Sequence, residues 1–299
     1  MPELPEVEVV RRGIHQWATH AHITAVEILD PRSLRRHQPG PEDFITKLVG
    51  QQLGPAQRRG KYLWIPFAEG YQAIVVQLGM SGQVLVADPD LPDRKHLKIR
   101  ITVTTGGTTQ ELRFVDQRIF GGMYLDTLVP TLDHPAQHIP STVAHIGRDP
   151  LDEHFDLEAI FRALRKRKSS LKRALLDQSL SSGIGNIYAD EALFRAELHF
   201  ARPTETLTRK EVSRVYQAAE QVMRLALAQG GTSFDALYVN VNGASGYFER
   251  SLNVYGRQGQ PCCRCQDAGV ETLITRSKFM NRSSYYCPKC QPVPRRARW

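Results

Sequence analysis

The first residues of the chain have the types and spacing of a nucleophilic site. The sequence begins Met1-Pro2-Glu3, so removal of Met1 would leave the secondary amine of Pro2 as the N-terminus. An α-amino group has a pKa of about 7.7–8.0, so roughly a fifth of it is unprotonated near neutral pH, unlike a lysine amine. Glu3 and Glu6 offer carboxylates for proton transfer beside it. The alternative is that Pro2 only permits removal of Met1.

Four cysteines near the other end have the spacing of a structural zinc site. Two Cys-x-x-Cys pairs, Cys262/Cys265 and Cys287/Cys290, are separated by 21 residues, which leaves room for a β-hairpin. Four thiolates fill a tetrahedral site, so we expect one structural Zn²⁺ per chain. Cys263 breaks the spacing and is expected to remain unbound. Free thiols are the alternative, whereas disulfides are disfavoured in a reducing compartment.

The composition favours an anionic polymer as the partner. The 299 residues are 41% hydrophobic, which is enough for two domains, and the net charge is +8. A positive excess points first to nucleic acid. The sequence has no apolar run of about 18 residues and no basic-then-apolar leader. We therefore expect no membrane association and a cytoplasmic protein.

Two periodicities divide the chain. Helical spacing of apolar residues from Val7 to Trp17 predicts a helix that begins near Pro5. Short alternating segments then predict strands at 22–29, 61–67, 73–77, 83–87, 97–104 and 110–115. Apolar residues three and four apart predict helices at 155–165, 170–180, 187–196 and 209–228. The predicted fold class is α+β, with an antiparallel β-sandwich after the first helix and a helical C-terminal half.

Six features in the same order resemble the formamidopyrimidine-DNA glycosylase family, which also includes endonuclease VIII. They are PELPEVE at residues 2–8, RGKY at 59–62, LGMSG at 78–82, GIGNIYADE at 183–191, GGT at 230–232, and the four-cysteine zinc finger. The Leu-Pro-Glu form at residues 4–6 resembles the oxidised-purine branch of the family. Gln77 and Ile119 depart from the usual pattern.

The resemblance implies a domain order. Residues 1–130 would form the catalytic β-sandwich domain, and residues 131–150, rich in Pro, His and Thr, a linker. Residues 151–260 would form a helical DNA-binding domain with a helix-two-turns-helix element and a loop that covers the lesion. Residues 261–291 would form the zinc finger, with its metal-bound β-hairpin, and residues 292–299 a tail that we expect to be disordered.

The resemblance also implies an activity. A family member flips a damaged purine, such as 8-oxoguanine or a formamidopyrimidine, out of double-stranded DNA. The Pro2 nitrogen would attack the sugar, and the imine that forms would allow β- and δ-elimination to cut the strand. Glu3 would move the proton, and Lys61 would grip the adjacent phosphate. We expect a monomer that associates with the nucleoid when bound to DNA.

Further residues are assigned to binding by the same resemblance. Glu6, Thr232 and Ser233 would contact the lesion, although Glu6 has the alternative role of a carboxylate at a helix start. The implied DNA-binding residues are Met80, His96, Arg118, Phe120, Asn186 and Arg282. Core packing is the alternative for Met80 and Phe120. A basic run such as 165–168, with Lys172 and Arg173, is usually a solvated helix face, but its position just before the Asn186 element predicts that it lines the same DNA channel.

Two other functions remain open from the sequence. The first is an endonuclease VIII-like glycosylase for oxidised pyrimidines. The second is a non-catalytic DNA-binding zinc protein that has kept the scaffold of a repair enzyme.

Overall fold

The computed structural model describes residues 2–230 and 251–299. The chain divides into two compact units. The described residues of the first unit are 2–145, 229 and 230, and those of the second are 146–228 and 251–299. No helix among the described residues is long and apolar enough to cross a membrane.

The first unit consists of two helices and two antiparallel sheets. Its helices are α1 (Leu4–Ala18) and α2 (Pro41–Leu48). Its strands are β1 (His22–Ile28), β2 (Gln57–Arg59), β3 (Tyr62–Pro66), β4 (Gln72–Gln77), β5 (Gln83–Ala87), β6 (Leu97–Thr105), β7 (Thr108–Val115), β8 (Gly122–Pro130) and β9 (His138–Pro140). One sheet has the order β1-β6-β7-β5, and the other has the order β2-β3-β4-β8-β9.

The two sheets and α1 share one hydrophobic core. In β6 buried residues alternate with partly exposed ones, so Ile99 and Ile101 belong to the face that packs inward. Ile74 of β4, in the other sheet, and Val10 of α1 belong to the same buried cluster. Because alternate residues of a strand point to opposite faces, each sheet buries one side. The predicted α+β fold with an N-terminal β-sandwich is confirmed.

The second unit is helical and ends in a β-hairpin. Its elements are α3 (Leu157–Lys166), α4 (Leu171–Leu175), α5 (Asn186–Arg195), α6 (Arg209–Ala228), α7 (Cys263–Asp267), β10 (Thr275–Phe279) and β11 (Arg282–Tyr286). Helix α4 is shorter than the predicted helix at 170–180. The Asp177 carboxylate accepts hydrogen bonds from the Ser179 amide at 3.0 Å and from its hydroxyl at 2.7 Å. Such local bonds compete with continuation of a helix.

Several segments differ from the sequence-based expectations. Within 131–150, predicted as a linker, β9 pairs with β8 and extends the five-stranded sheet. Helix α2 and strand β8 were not predicted. The tail is ordered against the second unit, which corrects the expectation of disorder. The Arg298 amide donates to the Ala201 carbonyl at 2.9 Å, and the Trp299 ring lies 5.5 Å from that of Phe200.

Candidate functional site

The N-terminal residues place two buried carboxylates at the start of α1. Glu3 is the N-cap residue, and its amide donates to Glu6 Oε2 at 2.8 Å as part of a capping box. Glu3 and Glu6 are each only 3% exposed, and Pro2 is buried as well. The positive end of the helix dipole faces this position and stabilises negative charge there. The structure therefore brings Pro2, Glu3 and Glu6 together.

A polar network joins α1 to the turn that carries Lys61. Glu8 accepts hydrogen bonds from Arg11 at 2.9 Å and from Arg58 at 3.0 Å. Arg58 also donates to the carbonyl of Gly60, which directly precedes Lys61, at 3.1 Å. Burial raises the pKa of Glu8, but the bonds and charges of Arg11 and Arg58 outweigh burial and hold that pKa at about 2. The turn is thus fixed to α1.

Two adjacent turns of the first unit carry exposed apolar side chains. Met80 is 42% exposed and Phe120 is 51% exposed, so core packing is the wrong interpretation of either residue. Gly79 lies between β4 and β5 with φ +64°, and a Cβ at this position would lie 2.6 Å from the carbonyl carbon of Phe120. The two turns therefore touch through their backbones, and only glycine fits at position 79.

Buried Asp116 organises the second of these turns. Its Oδ1 accepts hydrogen bonds from the Ser81 hydroxyl at 2.6 Å and the Arg118 amide at 3.1 Å. Its Oδ2 accepts the Gly121 amide at 2.7 Å, and its own amide donates to the His96 carbonyl at 3.0 Å. These contacts hold together the backbone segments that carry the predicted residues Met80, His96, Arg118 and Phe120. Within residues 2–230 and 251–299, the exposed Arg118 guanidinium has no hydrogen-bond partner.

In the second unit, Asn186 and Arg282 lie on neighbouring elements. Asn186 is the first residue of α5, and its Nδ2 donates to the Ser283 carbonyl at 3.1 Å. Its Oδ1 is buried and accepts no hydrogen bond from the described part of the chain. Arg282 begins β11, directly after the turn at Met280, and is exposed. A helix start and an exposed arginine are both suited to anions.

Lys172 does not line a channel, which corrects the expectation from the basic run. It is completely buried and forms an ion pair with Asp190 at 2.7 Å. Its Nζ also donates to the Ser284 hydroxyl at 2.9 Å, and Asp190 Oδ2 accepts the Tyr285 amide at 3.0 Å. Burial raises the pKa of Asp190, and the Lys172 charge opposes that shift. This pair fastens β11 to helices α4 and α5.

Two residues of the basic run also have partners within the unit. Arg165 donates to the Glu205 carbonyl, and Arg167 pairs with Asp177. These two arginines are therefore already engaged in the second unit.

The four predicted ligand cysteines converge. Their sulfur atoms all lie within 4.8 Å of one another, with Sγ–Sγ distances of 3.6 Å for Cys265–Cys287 and 3.5 Å for Cys265–Cys290. Zn–S bonds of about 2.3 Å in a tetrahedron require sulfurs about 3.8 Å apart. The cluster therefore fits one zinc ion. Cys263 lies outside it and donates to Asn253 Oδ1 at 3.4 Å.

Several site residues were missed by sequence reasoning. Asp116 stands two residues before Arg118, which was a signal that could have drawn attention to it. Arg35 donates hydrogen bonds to backbone carbonyls of the same turn. No motif or spacing in the sequence indicated this role. The predicted lesion contacts Thr232 and Ser233 lie outside the described residues.

Comparisons with known proteins agree with this geometry. Residues 1–123 match the family model of the formamidopyrimidine-DNA glycosylase N-terminal domain, and residues 146–236 match the H2TH domain of the same enzyme. Proteins named formamidopyrimidine-DNA glycosylase from Streptomyces coelicolor and Rhodococcus jostii are each 56% identical to the chain. The alignments cover 99% of this chain and 99% and 98% of those proteins.

Solved structures of a Lactococcus lactis protein have the same fold. One is a complex of an Fpg mutant with DNA containing Fapy-dG, whose protein chain superposes on this chain with a TM-score of 0.81 at 29% identity. The alignment covers 97% of this chain and 100% of the Lactococcus lactis chain. A complex of Fpg with DNA containing an abasic site gives a TM-score of 0.80 at 28% identity, with the same coverage. The chain belongs to the formamidopyrimidine-DNA glycosylase family.

Proposed function

We propose that this protein is a bifunctional base-excision repair enzyme that removes oxidised purines from double-stranded DNA and then cleaves the strand. The observation that carries the proposal is the N-terminus of α1, where Pro2 and the Glu3–Glu6 capping box are buried together. A buried, oriented carboxylate beside a terminal amine supplies a nucleophile and a proton acceptor. The relatives named for formamidopyrimidine excision support the substrate class.

The reaction begins after removal of Met1. The damaged nucleotide leaves the base stack at a cost of a few kcal/mol, and the Pro2 nitrogen forms a bond to C1′ of its sugar. The bond from C1′ to the base breaks, and the base departs with a proton. The nitrogen loses its proton, and the C1′–O4′ bond of the sugar breaks as the nitrogen lone pair forms the C=N bond of an iminium cation, while O4′ takes up a proton. The iminium cation withdraws electrons, so loss of a C2′ proton expels the 3′ phosphate and a second elimination expels the 5′ phosphate. Glu3 carries protons in these steps.

Cationic and polar residues would hold the strand around the damaged nucleotide. Lys61, fixed to α1 through Arg58 and Glu8, would bind the phosphate next to the flipped nucleotide. Asn186 at the start of α5 and Arg282 at the start of β11 would bind further phosphates. The net charge of +8 favours this polyanion. Zinc held by the four cysteines would brace the hairpin that carries Arg282.

The paired turns would fill the space that the flipped nucleotide leaves. Met80 and Phe120 are exposed and apolar, so they suit insertion into a base stack. Arg118 would pair with the orphaned cytosine, and His96 would lie at the same interface. Glu6 would contact the lesion, together with Thr232 and Ser233. We propose that the enzyme acts as a monomer in the cytoplasm, on nucleoid DNA.

Excision from three duplexes tests this function. We expect faster release from 8-oxoguanine:cytosine and formamidopyrimidine:cytosine duplexes than from a thymine glycol duplex. The control Glu3→Gln should bind damaged DNA without turnover. Faster release of thymine glycol would indicate an oxidised-pyrimidine glycosylase, and binding with no release from any duplex would indicate a non-catalytic zinc protein. Either result would overturn the proposal.

A further inference from the structure

The turn at residues 116–121 contains an unfavourable backbone conformation. Ile119 has φ +54°, in the left-handed region, where Cβ approaches the following carbonyl oxygen. For a β-branched residue this conformation is a genuine outlier. The intrinsic bias against it is about five- to thirtyfold for an L-residue other than glycine. Contacts from elsewhere in the fold must therefore hold Ile119 in place.

Two sets of contacts hold it. Asp116 is completely buried and accepts the amides of Arg118 and Gly121, on either side of Ile119, at 3.1 and 2.7 Å. Whereas Asp116 binds backbone amides of the turn, Arg35 binds its backbone carbonyls. Its guanidinium donates to the carbonyls of Ile119 at 2.6 Å and Phe120 at 2.5 Å, and more weakly to that of Gly121 at 3.4 Å.

Arg35 is therefore placed to hold the backbone of this turn in one conformation. It directly follows the 3-10 helix Pro31–Leu34, which lies far from the turn along the chain. A planar guanidinium can bind several carbonyls at fixed angles, which an ammonium group cannot do in the same way. Adjacent Arg36 is also exposed but has no hydrogen-bond partner among residues 2–230 and 251–299. Arg36 is therefore a suitable control position for substitutions of Arg35.

We propose that Arg35 is a positioning residue that sets opposite-base selectivity. By holding the carbonyls of residues 119–121, it keeps Ile119 left-handed and so orients Arg118 and Phe120 on either side. This inference rests on the proposed function, in which Arg118 reads the orphaned base and Phe120 enters the stack. Loss of Arg35 frees Ile119 to leave the left-handed region, and the turn then presents Arg118 in several orientations.

The first test measures excision of 8-oxoguanine opposite cytosine and opposite adenine. We expect Arg35→Ala to lower the cytosine-to-adenine rate ratio about fivefold or more, in line with the bias at position 119. Borohydride trapping on an abasic duplex should stay within about twofold of wild type, because that step needs no opposite-base reading. Arg36→Ala should leave the ratio unchanged.

Rescue separates this role from direct DNA contact. Asparagine tolerates the left-handed region, whereas valine does not. The double variant Arg35→Ala/Ile119→Asn should recover most of the lost ratio, and Arg35→Ala/Ile119→Val should not. If Arg35 instead bound a phosphate, its loss would weaken binding to every duplex equally and neither double variant would help. That result, or an unchanged ratio in Arg35→Ala, would overturn the proposal.

Amide hydrogen exchange in the free protein tests the clamp without DNA chemistry. The amides of Arg118 and Gly121 should exchange faster in Arg35→Ala and return toward wild-type rates when Ile119→Asn is added. Unchanged exchange would overturn the clamp. A wild-type enzyme that excised no oxidised purine would instead refute the proposed function, so the two failures are distinguishable.

Discussion

At the scale of single residues, Arg118 carries the sharpest specificity prediction. An arginine offers only hydrogen-bond donors. It pairs well with the two acceptors on the exposed edge of cytosine and poorly with adenine, whose amino group would face another donor. Its guanidinium is exposed and unpaired in the described part of the chain, so it is available for this contact.

Arg118→Ala should therefore reduce the preference for 8-oxoguanine opposite cytosine. One discriminating hydrogen-bond pattern is worth about 1–3 kcal/mol, which corresponds to roughly five- to more than a hundredfold in the rate ratio. Single-turnover excision opposite cytosine and adenine measures it, with abasic-site trapping as the control. If the mutant kept the full preference for cytosine, Arg118 would not be the residue that reads the orphaned base.

Some site residues could be predicted from the sequence and others could not. Pro2 and the four cysteines could be proposed as site residues because a terminal amine depends only on position in the chain and a metal site on local spacing. Asp116 and Arg35 act on backbone groups of a turn, so their roles depend on where the fold places carbonyls and amides. Lys172 looked like a surface cation because a basic run gives no information about the buried Asp190 on another helix.

At the scale of elements, the cysteine-bearing hairpin region makes a testable contrast between two neighbouring cysteines. Cys265 lies within the sulfur cluster, whereas Cys263 lies outside it and donates a hydrogen bond to Asn253. Structural zinc contributes on the order of 10–16 kcal/mol in small zinc peptides. Cys265→Ser should lose zinc and most binding to damaged DNA, while Cys263→Ser should keep both. Metal analysis and a binding titration measure this, and normal binding by metal-free protein would contradict it.

The Lys172–Asp190 pair makes a second prediction about the same hairpin. Lys172→Met leaves a buried carboxylate without its cation, which typically costs about 3–5 kcal/mol. Lys172→Met/Asp190→Asn should recover part of that loss, because asparagine has no charge and still accepts the Tyr285 amide. Thermal or denaturant unfolding measures both variants. Equal destabilisation by the single and double changes would contradict an electrostatic origin.

Local patterns predicted most elements but not their tertiary pairing. The Gly106-Gly107 turn and the alternation on either side identified β6 and β7. Strand β9 is only three residues long and contains proline, so only its pairing with β8 defines it. The tail is likewise ordered by contacts with distant Ala201 and Phe200, which composition cannot reveal.

At the scale of the whole molecule, acid stability should depend on the network that fixes α1. Contacts with Arg11 and Arg58 hold the pKa of Glu8 at about 2, below its ordinary value of 4.5. A lowered carboxyl pKa gives stability that is present above pH 4.5 and is lost as the pH falls toward 2. The shift corresponds to about 3 kcal/mol.

Glu8→Gln should therefore destabilise the protein by about 3 kcal/mol at pH 7, with a difference from wild type that shrinks between pH 4.5 and 2. Denaturant unfolding across this range measures it. Glu42→Gln, at a solvent-accessible position in the first turn of α2, is the control and should have little effect. A pH-independent difference for Glu8→Gln would show that the network acts through packing rather than charge.

The central claim is that the terminal amine of Pro2 performs the chemistry, and covalent trapping tests it most directly. Wild-type protein is incubated with an 8-oxoguanine:cytosine duplex and borohydride, and the cross-linked peptide is identified by tandem mass spectrometry. We predict that the adduct maps to the Pro2 nitrogen of a peptide lacking Met1. Pro2→Gly should give weaker trapping through its primary amine. An adduct on a lysine, or full activity from protein that uniformly retains Met1, would contradict the account.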